Sequence, residues 1–356
     1  MKTTYQLEVE VLSPLHINSG HGDLKKDIDF LCHHGVHIMD IDRLLNNLSE
    51  ENWGKAVKGI PLPEIIAKNQ YSHFAFYSLN NPVDKPEPQS IKEYIKNSYY
   101  QPYIPGSSLK GAIRTGLSWA MIKDGLIKLD KRDIGYNPRY AGRTLMARLF
   151  GTDPNHDLLR ALSISDTEPL APGTSMELNM VTIYSLNRQN RIQAKGDRYR
   201  FTVEMIRSGT CFYGTVAIDD FLLEPDIAKR LGFDRNLEYL KKFVPYCNSL
   251  AKKLIEQEKS FFQKHELTKV SQFYDKLANL VEGLKENECL LQISWGTGWN
   301  AKTLQSILDP ELFQLIRSQF RLGRRESNIF PKTRRLVEKN NIPEMPLGWV
   351  KLKLYS

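Results

Sequence analysis

The chain opens on Thr4-Tyr5-Gln6-Leu7-Glu8-Val9-Glu10-Val11-Leu12, where polar and apolar residues alternate, and it closes on the same two-residue period from Trp349 to Tyr355. That period sends successive side chains to opposite faces, so each segment reads as a half-buried strand. Further strand-like stretches lie at Val36 to Ile41, Leu162 to Asp166, Ser175 to Tyr184, Arg200 to Ile206, Cys211 to Ile218 and Leu290 to Trp295. Helical periodicity fills Ser108 to about Lys123, most of Leu222 to Leu284, and Lys302 to Phe320. Strands interrupted by helices and joined by hairpins, rather than by regular crossover units, predict an α+β protein. Two ferredoxin-like units suit this order better than one doubly wound sheet. The expected division is 1–168, with a polar helical insertion at about 42–99, and 169–356, with a helical insertion at about 222–287.

A chain of 356 residues is long enough for two cores, and 41% hydrophobic with 25% charged residues is the balance of a soluble globular protein. No apolar run approaches a membrane span, and Met1 to Tyr5 leads into the first strand without a signal-peptide pattern, so the cytoplasm is the expected location. The cysteines, Cys32, Cys211, Cys247 and Cys289, lie too far apart for a paired framework and are expected to be reduced and mostly buried. Asn18-Ser19-Gly20-His21-Gly22 reads as a flexible loop, and the Pro-rich Asn81 to Pro88 as a mobile surface loop.

Within this frame, Tyr103-Ile104-Pro105-Gly106-Ser107-Ser108-Leu109-Lys110-Gly111-Ala112-Ile113-Arg114 carries the most chemistry. A Pro-Gly turn leads to two candidate caps, Ser107 and Ser108, and then a helix whose free N–H groups favour an anion. Leu109, Ile113 and Leu117 form its buried stripe, while Lys110 and Arg114 share another face four residues apart. Phosphates of a nucleic acid or of a nucleotide suit this arrangement; an ordinary capped helix with exposed cations is the plain alternative.

The formal net charge is +8, and its distribution says more than its size. Basic residues cluster from Arg188 to Arg207 and again from Arg317 to Arg335, where Arg321, Arg324, Arg325, Lys332, Arg334 and Arg335 crowd a short stretch. The polar connection Asn187 to Arg198 holds Arg188, Arg191, Lys195 and Arg198 and reads as a long hairpin arm. A basic stretch punctuated by Gly and Pro also runs from the end of the Ser108 helix to Arg143. In Gly296-Thr297-Gly298-Trp299 the glycines let backbone approach a ligand closely, Trp299 offers a ring for stacking, and Lys302 a cation for phosphate.

Several of these stretches together resemble one family. Ser13-Pro14-Leu15-His16-Ile17-Asn18-Ser19-Gly20 is similar to the opening of the RAMP superfamily of CRISPR proteins, and Ile104 to Arg114 resembles its hallmark turn and helix. Leu162 to Thr167 is similar to the strand that follows, and Ile293 to Thr303 to the family's glycine-rich loop. With Pro331-Lys332-Thr333-Arg334-Arg335 and Pro346 to Leu352, the chain resembles the fifth-subunit family of type III-A (Csm) effector complexes. A subunit of a related type III-B complex is a further reading.

The resemblance implies a pair of RRM-like domains that bind the 3′ segment of CRISPR RNA, cap the filament of backbone RAMP subunits, and support RNA maturation in antiviral defence. Other Csm subunits are then partners, trimming of the 3′ end falls to recruited host nucleases, and no membrane is involved. The expected RNA contacts are His16, Ser107, Ser108, Lys110, Arg114, Arg191, Gly296, Gly298, Trp299, Lys302, Arg324, Arg325, Lys332 and Arg334. Contacts to phosphate carry no base information, as a subunit serving many guides requires.

No catalytic residue, cofactor or metal is expected. Cys32-His33-His34-Gly35-Val36-His37 groups four potential ligands, but no second pair completes a zinc site and neighbouring strand residues face opposite ways. The rival reading is a CRISPR RNA endonuclease that uses His16 or His21, or a metal held by Asp27 and Asp29.

Overall fold

The computed structural model describes residues 2–81, 87–323 and 329–355. In chain order the strands are β1 (Lys2–Val11), β2 (Asn18–Lys25), β3 (Phe30–Cys32), β4 (Val36–Met39), β5 (Ala75–Leu79), β6 (Ser90–Tyr94) and β7 (Leu162–Ile164). They continue as β8 (Met176–Leu186), β9 (Ile192–Ala194), β10 (Arg200–Ile206), β11 (Cys211–Asp219), β12 (Glu288–Gln292), β13 (Thr333–Lys339), β14 (Ile342–Met345) and β15 (Trp349–Tyr355). The protein is α+β, as the order of patterns predicts.

One sheet runs β12-β15-β1-β11-β7. β1 is antiparallel to both β15 and β11, so the first and last strands of the chain lie side by side. In sequence the helix Gly106–Lys123 falls between β6 and β7, and helices including Phe243–Lys264 fall between β11 and β12. In the order β15-β1-β11-β7 the first strand of the chain, β1, is central. Its alternation works as read: Leu7, Val9 and Val11 are buried, with Leu109, Ile113 and Leu117 of the Gly106 helix in the same core. Gly116 lets the Phe243–Lys264 helix come close, since a Cβ there would lie 3.3 Å from the Cys247 Cα.

The second sheet runs β14-β13-β8-β10-β6-β2, with β9 folded onto β8. Both sheets take strands from before and after residue 168. Three of its members lie where the alternating pattern is absent. β2 replaces the loop expected at Asn18 to Gly22; it pairs with β6 through a register shift between Asn18 and Asp23. Residues 42–74 are helical as expected, but β5 and β6 follow in the same insertion, and β6 runs parallel to β10 within the main sheet. β13 emerges from the basic stretch.

A buried carboxylate fixes the insertion to this sheet. Glu204 accepts from the Tyr77 hydroxyl at 2.5 Å, the Tyr94 backbone N–H at 2.9 Å and the Lys96 ammonium at 2.7 Å. Removing Glu204 would leave the Tyr77 hydroxyl and the Tyr94 N–H buried without this acceptor and take from Lys96 its shortest ion pair. Among the described residues no helix is long and apolar enough to cross a membrane.

Candidate nucleic-acid interface

Three basic or glycine-rich segments, far apart in sequence, meet around one cleft of about 960 Å³. Gly296 and the short helix Gly298–Lys302, with Trp299 and Lys302, line it after β12, Arg188 and Lys195 from the arm, and Lys332 and Arg335 from the start of β13. The arm is held out because β9 pairs back on β8, Tyr184 opposite Ala194 and Leu186 opposite Ile192. Lys195 stands 4.3 Å from the Tyr199 ring centroid and Arg198 5.0 Å from it, so a cation–π pair fixes the base of the arm. Arg191 is exposed at the tip, where the Asn187 side chain accepts its backbone N–H at 3.0 Å.

The two loop glycines do different work. Gly296 has φ +85°, and a Cβ there would meet the Leu347 side chain at 2.9 Å, so packing requires it. Gly298 has φ +88°, and a Cβ there would have nothing within 4 Å, which leaves open space beside the cleft wall. Trp299 is half-buried, edge-on to Phe330 at 5.2 Å, and its indole N–H is buried without an acceptor.

Arg334 and Arg335 are neighbours on a strand, and the two-residue period separates them. Arg334 turns to the Phe243–Lys264 helix, where Glu258 takes two of its hydrogen bonds and Phe261 lies 4.2 Å beneath its guanidinium. Arg335 lies 5.2 Å from the Trp295 ring, has no carboxylate partner among the described residues, and has a buried Nε without an acceptor. Burial lowers its pKa. Partial desolvation, then the nearby Arg335 charge, lowers that of Lys302. With Glu258 occupied by Arg334, the cleft holds cations without matching acids among the described residues. Arg188, Lys195 and Arg335 are cleft cations that the expected contact set omits, although all three lie in the basic segments marked by the sequence. Arg324 and Arg325 lie outside the described residues, as do residues 82–86 of the Pro-rich loop.

The Pro-Gly-Ser-Ser helix lines a second cleft of about 580 Å³. Its cap differs from the serine cap expected: the helix starts at Gly106 after Pro105, without a side-chain cap, and the Gly106 N–H donates to the Asp166 carboxylate at 2.8 Å. A carboxylate of the chain itself thus occupies the first anion position. Ser107 is exposed and Ser108 half-buried. Gly106 is forced by packing, because a Cβ would run into the Ile164 carbonyl. Arg114 pairs with Asp157 at 2.7 Å and lies 4.5 Å over the Phe150 ring. Among the described residues Lys110 has no hydrogen-bonded acid, and Arg143 and Arg160 stand beside it in the cleft; burial lowers its pKa, Asp157 opposing.

His16 lies wholly in the interior. Its Nδ1 is 2.8 Å from the Glu204 carbonyl, its ring meets Trp295 edge-on at 5.4 Å, and it has no exposed surface. Burial lowers its pKa to about 4, so the ring is neutral near pH 7. His21 is exposed, and Asp29 accepts the Lys25 backbone N–H at 2.8 Å. Among the described residues no three His, Cys, Asp or Glu side chains gather as metal ligands. His37 is engaged by Ser78 at 2.7 Å and the His33 carbonyl at 2.9 Å.

The geometry defines an α+β protein whose basic, aromatic-lined cleft opens beside a glycine loop. The chain belongs to the RAMP superfamily, whose family model matches residues 8–299. It is similar to the CRISPR system Cms protein Csm5 of Methanocaldococcus jannaschii, 25% identical over 99% of this chain and 89% of the relative. A chain of a cryo-EM structure of a Csm-crRNA-target RNA ternary complex in a type III-A CRISPR-Cas system shares its fold. The TM-score is 0.71 at 24% identity, over 98% of this chain and 100% of that one. The crystal structure of T. onnurineus Csm5 aligns with a TM-score of 0.66 at 24% identity, over 96% of this chain and 99% of the other.

Proposed function

We propose that this protein is a CRISPR RNA-binding subunit of a type III-A Csm complex, with no catalytic step of its own. The observation that carries the reading is the meeting of the glycine loop, Lys302, Lys332, Arg335 and the arm around one cleft in which, among the described residues, the carboxylate present is already paired. Such a surface holds a phosphate backbone of any sequence, as a subunit serving changing guides needs. Likeness to Csm5 along nearly the whole chain supports the same reading. In the finer form of the proposal, the subunit holds the 3′ segment of the RNA and ends the filament of backbone subunits. It supports maturation, leaves 3′ trimming to host nucleases, and works in the cytoplasm. Of the expected contacts, Lys110, Arg191, Lys302 and Lys332 suit phosphate directly, and Gly298 and Trp299 shape the wall beside it.

The test is assembly of the complex with and without this subunit, followed by sizing of the bound RNA. Omission should leave complexes with longer, heterogeneous 3′ ends, and the subunit alone should bind RNA in a salt-sensitive, weakly sequence-dependent way. Failure to bind RNA or the other subunits at low salt would sink the proposal. Cleavage of labelled precursor RNA by the purified chain, with or without divalent metal, would replace it with the endonuclease reading.

A further inference from the structure

The basic stretch that ends at Arg143 holds two large rings in solvent. Tyr136 is fully exposed and Tyr140 is 52% exposed. Exposed aromatic surface of this kind marks an interaction site when the chain displays it on a firm support. The support is firm here. Asp130 and Asp133 cap the start of the stretch reciprocally, and Arg148 holds the Asp133 carboxylate at 2.8 and 2.7 Å. The Gly135 carbonyl accepts from the Gln319 side chain. Gly135 and Gly142, at φ +72° and +76°, bracket the turn that turns both rings outward.

The charge of the stretch is one-sided. From Lys128 to Arg148 the chain carries six basic and two acidic residues, and both acids are taken internally, Asp130 by Arg132 and Asp133 by Arg148. Lys128, Lys131, Arg139 and Arg143 remain exposed without a carboxylate partner among the described residues. Arg139 stands 5.9 Å from the Tyr140 ring.

Its place in the fold links the two clefts. Arg143 lines the cleft of Lys110. Gln319 belongs to the helix Pro310–Gln319, whose Phe313 lies 6.2 Å from Phe330, and Phe330 is a wall of the cleft of Trp299 and Arg335.

We propose that Tyr136, Tyr140 and Arg139 form a stacking platform for single-stranded RNA that joins the two basic clefts into one track. The proposal rests on the reading of the chain as an RNA-binding subunit. Unpaired bases offer π faces for the rings and phosphates for the cations, so a single strand satisfies both halves of this surface.

The test measures anisotropy of a fluorescein-labelled oligouridylate, long enough to reach both clefts, with the full chain across a salt series. Tyr136→Ala with Tyr140→Ala should weaken binding about tenfold at an unchanged salt slope, because stacking rather than phosphate contact is lost. Tyr136→Phe with Tyr140→Phe should bind within about twofold of the wild type, since the ring face is retained. Arg139→Ala with Arg143→Ala should lower the salt slope. The single Tyr136→Ala, at a site with no packing to lose, should show the same direction with a smaller effect. Wild-type affinity in the alanine pair, or equal loss in the phenylalanine pair, would overturn the platform. Unchanged RNA binding with loss of co-assembly would also overturn it and assign the surface to a protein partner. Failure of the wild type to bind the oligouridylate would instead strike the RNA-binding reading itself.

Discussion

Arg334 and Glu258 are joined by two hydrogen bonds, from Nε at 2.5 Å and from a terminal nitrogen at 2.9 Å, and that pair separates two adjacent arginines into different roles. The Arg334 side chain is 11% exposed and that of Glu258 is 8% exposed, so the pair is nearly dry. Arg335, one residue on, faces the cleft with no acid partner among the described residues.

Arg334→Ala should therefore cost about 3–5 kcal/mol of stability, by leaving Glu258 charged and buried. Arg335→Ala should leave stability nearly unchanged and reduce RNA affinity, with the slope of log affinity against log salt falling by about 0.7. Urea unfolding and anisotropy titration of the two variants check this. A larger stability loss for Arg335→Ala than for Arg334→Ala would reverse the assignment.

Lys110 and Arg114 should separate in the same way. Lys110→Ala is expected to weaken RNA binding severalfold with stability unchanged, because among the described residues no carboxylate bonds to it. Arg114→Ala should lower stability by about 1–2 kcal/mol, through loss of the half-buried Asp157 pair and of the Phe150 contact. Thermal melts beside binding curves distinguish the two, and equal effects of both variants on binding alone would contradict it.

His16 sets a pH dependence. Its folded pKa of about 4 lies below the unfolded value of 6.5, so between these limits the unfolded chain binds the extra proton. Its contribution to stability is complete above pH 6.5 and is lost as pH falls toward 4. The full shift is worth about 3 kcal/mol. Unfolding midpoints from pH 7 to pH 4 should fall less in His16→Asn than in the wild type, after correction for the variant's lower stability at pH 7. Parallel curves would show that His16 is not the group responsible.

Gly106 tests the family's turn as architecture. A methyl group there cannot clear the Ile164 carbonyl, so Gly106→Ala must push the helix start away from β7 and stretch the Asp166 bond. The expected cost is about 2–3 kcal/mol. Ser107→Ala, exposed and outside the cap, should change stability by less than about 0.5 kcal/mol. Comparable midpoints for the two variants would refute this division.

Strands whose residues alternate between polar and apolar were readable in advance. Arg200 to Ile206 and Trp349 to Tyr355 form over the residues that alternate, and the helix expected from Ser108 begins only two residues earlier, at Gly106. β2 was not readable, because Asn18 to Gly22 has glycines and polar residues on both faces and forms a strand only when β6 offers its edge. β6 was hidden for a related reason: five residues inside a polar insertion give too short a period to detect. In the clefts, residue types and motifs marked the right segments. Charge pairing within them depends on partners such as Glu258, Asp157 and Asp166, which lie 43 to 76 residues away in sequence.

The class of fold, the family and the segments rich in cations were legible along the chain, since periodicity, glycine spacing and composition are local properties. Tertiary structure alone decided which cations keep an open charge and that the glycine loop, the arm and β13 share one cleft. The reason is physical: a charge is free or neutralised according to what lies within a few ångströms, and strand pairing across the whole chain sets that distance.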